Sequence, residues 1–259
     1  VQPASSFSAS NHSCRGPFTP PGTSGSRIRK IQRCNWLELT RDFPDERECL
    51  AAFLALETAE VLAGAKPANL IRLGNRRQSC GRNLFLLWRA FGVSLLADSG
   101  LQALPLRESG EGSLLLFFSG DLLYRQLRDP AVAAFLQQLG YPPPGDLPGT
   151  LAELQRRFRA GSALPHEIGL FLGYPLKDVA GYMGRTDLPC TGCRMWRIYG
   201  DPTPSLALSD RFIVCRNLMA ERLRATRSPM ALLLAAPNAA RSKMSFENRE
   251  ERNHPPCPS

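Results

Sequence analysis

Only three short runs in this chain have the length and composition of strands, and long stretches with apolar residues at helical spacing separate them. A chain built this way must bury most of its apolar surface between helices and one small sheet. The runs are 69–73 (Asn-Leu-Ile-Arg-Leu), 114–118 (Leu-Leu-Leu-Phe-Phe) and 196–199 (Trp-Arg-Ile-Tyr), the last with alternating faces. Between residues 45 and 63, Leu50, Phe53, Leu54, Leu56, Val61 and Leu62 follow a helical period, with Asp45 placed to cap the start and Gly64 to stop the end. Further helices are predicted over 83–96, 121–127, 130–139 (opened by Pro130), 147–158, 165–172, 175–183 and 206–223. Gly173 and Gly184 end two of them. The fold class expected is α/β or α+β, a small central sheet of few strands flanked by helices, with no internal repeat.

The two ends differ in composition from this middle. Residues 1–44 read as a disordered Ser/Pro-rich tail, 45–227 as a single α/β domain, and 228–259 as a flexible C-terminal tail. His12, Cys14, His254 and Cys257 fall in the tails and are given no role. Hydrophobic residues make up 43% of the chain, enough for a core of real size. The net charge of +9 comes mainly from arginine, whose guanidinium suits phosphate. No run of five or six basic residues occurs, however, so nucleic acid is not the partner to expect first. No apolar run reaches the roughly 18 residues of a membrane span, and 230–236 is too short. The sequence shows no basic segment followed by an apolar one at its start, which points to a cytoplasmic, reducing setting. The eight cysteines are therefore expected as thiols, metal ligands or catalytic groups rather than as disulfides.

Chemistry-bearing residues concentrate in 164–199. Cys190-Thr191-Gly192-Cys193 is the one CxxC, and two thiolates at that spacing can grip a zinc or iron ion from a tight turn. Cys215 and His166 are the residues that would complete a four-ligand set with them. A redox dithiol is the other reading of the pair, although Pro189 before it and a strand after it differ from the helix N-terminal setting of thioredoxin-like motifs. His166 is the candidate general acid or base, beside Glu167, and HEIG lacks the second histidine of HExxH. Lys66 and Asn69 flank Pro67 in a helix-to-strand turn, where a lysine can meet an anionic ligand. Lys66, Asn69, Glu167, Tyr174 and Trp196 are the candidate binding residues. The glycine-rich phosphate loops and the GxSxG elbow are missing.

Several of these segments carry a family resemblance. Residues 58–70 (TAEVLAGAKPANL), the pieces LLYR, DPAV and LGYP between 122 and 142, residues 166–179 (HEIGLFLGYPLKDV) and 196–201 (WRIYGD) resemble the bacterial family filed as domain of unknown function 3793. The likeness spans roughly 48–223. It implies a small cytoplasmic bacterial protein and brings no activity with it. The family pattern has a cysteine near the opening helix where this chain carries Thr58, so the resemblance carries no metal or redox role to that position. The leading expectation is a binding or accessory module with a metal or redox thiol site in 166–193. The alternatives are a small enzyme using His166 on an anionic small molecule held by Lys66, and a basic adaptor for a protein or nucleic acid.

Overall fold

The computed structural model describes residues 43–234 apart from 79, 98 and 162. Among them lie ten helices and five strands. In chain order these are α1 (Glu46–Glu57), α2 (Ala59–Leu62), β1 (Ala68–Gly74), α3 (Leu84–Leu96), β2 (Gln102–Ser109), β3 (Gly112–Phe118), α4 (Gly120–Arg128), α5 (Pro130–Gln138), α6 (Leu147–Ala160), α7 (Ile168–Phe171), α8 (Leu176–Tyr182), β4 (Cys190–Cys193), β5 (Arg197–Tyr199), α9 (Thr203–Ala225) and α10 (Pro229–Leu234). The expectations made for residues 1–42 and 235–259 lie outside the described residues. The architecture is mixed helix and sheet, as the alternation of periods required.

The sheet is antiparallel in the order β1-β3-β2. Its centre, β3, is buried along its whole length, and its alternation divides the interior. Leu115 and Phe117, with Ile71 and Leu73 of β1, join one cluster formed with α1, α2, α3, α9 and α10. Leu114, Leu116 and Phe118, with Ala68 of β1, join the other, formed with α4 to α8. Helices thus cover both faces of three strands, the arrangement that lets a continuous apolar run serve as a strand.

Three differences from the expected elements have local causes. Strand β2 (QALPLRES) contains Pro105, which cannot donate to a ladder and is tolerated here because β2 is an edge strand with an irregularity between Pro105 and Arg107. The predicted helix 45–63 is two helices, broken at Thr58, whose hydroxyl donates to the Leu54 carbonyl at 2.7 Å. Residues 229–234, expected within the C-terminal tail, form α10 against α1. Leu233 is fully buried there, and the Met230 N–H donates to Glu48 Oε2 at 3.0 Å.

Candidate functional site

Three of the segments that carried the resemblance, 58–70, 166–179 and 196–201, meet around Lys66, Tyr174 and Trp196. After α2 the chain turns through Lys66 and Pro67 into β1, while α7 and α8 are joined through Gly173 and Tyr174. Gly173 has φ +76°, and a Cβ on it would sit 2.5 Å from Pro67 Cδ, so only glycine admits both the turn and the contact.

Lys66 is 5% exposed. Its ammonium donates to Asn69 Oδ1 at 2.5 Å and lies 5.3 Å from the ring centres of both Tyr174 and Phe212. Asn69 passes the interaction on: its Nδ2 donates to Glu60 Oε2 at 2.8 Å and to the Glu57 carbonyl at 2.7 Å. Burial pushes the Lys66 amine down to about 8, the Glu60 carboxylate partly offsetting this and the Arg216 guanidinium adding to it.

Behind Lys66 an aromatic stack leads to a second buried charge. Tyr174 stacks on Trp196 at 4.4 Å and 21°, and the Trp196 indole donates to Asp178 Oδ2 at 2.7 Å. Asp178, 1% exposed, also accepts from the Ser205 hydroxyl at 2.6 Å, the Tyr199 N–H at 2.9 Å and the Lys177 ammonium at 2.8 Å. Burial alone would raise its carboxyl. The donors from Lys177, Ser205, Tyr199 and Trp196 outweigh that and hold it below the usual carboxylate range. One carboxylate therefore ties α8 to β5 and to the start of α9. Where Tyr199 crosses α8, a Cβ on Gly181 would lie 2.4 Å from Tyr199 Cγ. Gly181→Ala is expected to push this half-buried ring aside at a loss of about 1–2 kcal/mol, read as a lowered urea midpoint.

Of the residues singled out from sequence, Lys66, Asn69, Tyr174 and Trp196 are brought together here. Glu167 belongs to another network. It is buried, accepting from the Tyr141 hydroxyl at 3.1 Å and from Arg157 Nη1 at 2.9 Å, with the Arg157 guanidinium 4.2 Å from the Tyr141 ring centre. Burial first, and the Glu167 carboxylate next, push the Tyr141 phenol well above its ordinary value. That cluster ties α6 and the loop before it to the start of α7. His166 is exposed, its ring set edge-on to Tyr182 at 4.9 Å, and the Arg197 guanidinium lies 5.7 Å from the centre of the same Tyr182 ring.

The CxxC lies on a strand, not in a tight turn. Strand β4 pairs antiparallel with β5, Cys190 opposite Tyr199, Gly192 opposite Ile198 and Cys193 opposite Arg197. Thr191 is the extra residue of a bulge, and its hydroxyl reaches across to the Gly200 carbonyl at 2.6 Å. Cysteines three apart on a regular strand project from opposite faces. With one residue bulged out, Cys190 and Cys193 stand opposite partners only two apart, so both thiols share one face of the ribbon, and both residues are exposed.

Cys215 does not join them. It is half-buried on α9, where burial first, and Glu60 next, push its thiol up. Among the described residues no three His, Cys, Asp or Glu side chains are grouped to hold a metal ion, so Cys190, Cys193, Cys215 and His166 do not form the four-ligand set expected for zinc or iron. No helix among the described residues is long and apolar enough to cross a membrane.

The residues that sequence reasoning passed over are those that hold the site: Glu60, Asp178, Ser205 and Phe212. Asp178 carried one legible signal, since it lies in the 166–179 run two residues after an apolar helix start. A family model described as "Protein of unknown function (DUF3793)" matches residues 54–233. No curated protein and no solved structure matches the chain.

Proposed function

The chain belongs to the DUF3793 family, and we propose that it is a binding module whose working part is the β4–β5 hairpin, presenting Cys190 and Cys193 as a pair to a soft metal ion. One observation carries this reading: the bulge at Thr191 puts both exposed thiols on the same face of the ribbon. The buried network behind the hairpin supports it. Asp178 fixes β5 through the Tyr199 N–H and the Trp196 indole, which is the second layer of contacts a presented ligand pair needs to keep its direction.

An internal redox disulfide fits the hairpin less well. Three residues of strand advance about 10 Å, which a bulge shortens only in part, whereas a disulfide joins Cα atoms about 4.4–6.8 Å apart. The enzyme reading also loses support, because Lys66, its proposed anion anchor, is enclosed by two aromatic rings and its charge is answered by Glu60 through Asn69.

Pulsed alkylation of the reduced full chain, mapped by mass spectrometry, tests the premise. Cys190 and Cys193 are expected to label together in the first seconds, and Cys49, buried with its thiol pushed up by burial, only after denaturation. Metal retained after gel filtration should fall to background in Cys190→Ser/Cys193→Ser. Retention unchanged in that variant would sink the reading.

A further inference from the structure

We propose that the outer face of α9 is a self-recognition surface, on which two copies of this chain pair through antiparallel α9 helices about a two-fold axis. The inference goes beyond the hairpin and does not depend on it.

The helix supplies the first reason. One side of α9 faces the core, where Ser205, Ser209, Phe212, Met219, Ala220 and Leu223 are buried. At about 100° per residue the opposite side carries Ala207, Arg211, Val214, Leu218, Glu221 and Ala225, and every one of them is exposed. Val214 and Leu218 at its centre are each 52% exposed. The six positions are spaced alternately four and three residues apart without a break, which is the seam of a left-handed helix pair. Two branched aliphatic side chains at the middle of such a seam are what the pair buries.

The order of residues along the seam chooses the partner and its direction. It reads small, positive, apolar, apolar, negative, small, so its charges reverse about the point midway between Val214 and Leu218. An antiparallel copy centred there sets Val214 against the partner's Leu218, Arg211 against the partner's Glu221, and Ala207 against the partner's Ala225. Each layer recurs on the other side of the axis, as a two-fold requires, and alanine at both ends lets the backbones come close. A parallel copy would stack arginine on arginine and glutamate on glutamate. Sliding the antiparallel copy by one heptad, in either direction, would set a charged residue against Val214 or Leu218. One arrangement alone matches charge to opposite charge and apolar to apolar. Neither Arg211 nor Glu221 is in an ion pair among the described residues.

The size of the seam sets the strength. From Ala207 to Ala225 it runs about 27 Å. A helix-to-helix contact of that length stands at the small end of specific interfaces, near about 1,200 Å² in total, so the dimer is expected to be reversible and micromolar.

Sedimentation equilibrium of the reduced full chain tests the pairing. Wild type should pass from monomer to dimer between about 1 and 100 μM. Arg211→Glu and Glu221→Arg each place like charges in both charged layers, and each should weaken association about tenfold or more. An equimolar mixture of these two variants should associate again, because each copy then meets the opposite charge in both layers. Leu218→Ser should weaken association as well. All of these side chains stand exposed in the single chain, so the urea midpoint at high dilution should not move, and a failed dimer is thereby told apart from a failed fold. A chain still monomeric at about 100 μM overturns the proposal, and what covers the seam is then a different protein or a lipid surface. A dimer that both charge reversals leave intact overturns the seam, and a mixture no tighter than its components overturns the antiparallel pairing.

Discussion

Replacing Asp178 by alanine is expected to destabilise the fold by about 3–5 kcal/mol, measured by urea denaturation at neutral pH. The size follows from what the carboxylate leaves behind. Four donors converge on it, from Trp196, Ser205, Lys177 and the Tyr199 backbone, and the alanine variant takes away their shared, buried acceptor. Lys177 has other acceptors, the Tyr199 carbonyl at 2.7 Å and the Ser205 hydroxyl at 3.0 Å, so its loss is partial. The indole and the Tyr199 N–H are given no such substitute by the geometry around Asp178. Asp178→Asn keeps the shape but turns two acceptor positions toward donors, and is expected to fall between alanine and wild type.

The same carboxylate sets a pH signature. Its folded value is depressed, so its contribution is fully present above the unfolded value near 4 and is lost as the pH falls through the lower folded value. The alanine variant should therefore show a shallower loss of stability in acid than wild type. Because Asp178 also fixes β5, the variant should loosen the hairpin first: Cys190 and Cys193 should exchange their amide protons faster in Asp178→Ala than the β1–β3 ladder does. Equal acceleration in both places would mean the network is part of the global core and not a local foundation for the hairpin.

Much of this fold was legible in the sequence because its elements announce themselves locally. Asp45, Asn83, Asp129 and Asp146 each cap the helix that follows, and Leu114–Phe118 is apolar enough to be a strand buried on both faces. What stayed hidden depended on partners far along the chain. Gln102–Ser109 reads poorly as a strand because of Pro105, and only its edge position makes that proline harmless. Cys190–Cys193 has no apolar alternation at all; it is a strand because β5 offers it a ladder. The site divides the same way. Lys66, Asn69, Tyr174 and Trp196 could be named from their residue types, but that they touch follows from Gly173 closing onto Pro67, which no spacing displays. Nothing in their spacing marks Glu60 and Asp178 as buried. Only the folded chain buries them at 3% and 1% exposure and makes them the anchors of the two networks.

Lys66 should reveal itself through alkaline pH. Its amine titrates near 8 in the folded protein, against about 10.4 in an unfolded chain, so between these values the unfolded state holds more protons and stability must rise with pH. The full rise is worth about 3 kcal/mol. Cys49, Cys215 and Tyr141 act in the opposite sense, since burial raises all three and the unfolded chain ionises them first. The contribution of Lys66 must therefore be taken as a difference between wild type and Lys66→Met across pH 7–10. Methionine keeps the packing between Tyr174 and Phe212 and removes the charge, at the loss of about 1 kcal/mol for the bond to Asn69. The variant is expected to be more stable than wild type by about 1–2 kcal/mol at pH 7, with the advantage gone by pH 10. The charges of Glu60 on α2 and Arg216 on α9 act on the amine, with the Tyr174 and Phe212 rings against it, and Glu60→Gln should enlarge the advantage by deepening the depression of Lys66. Stability that falls in Lys66→Met at every pH would show instead that the ammonium is a net strut between α2 and α9. A gain that fades with pH would show that the fold carries a charge it would be more stable without, and such a residue is retained for what it does rather than for what it holds.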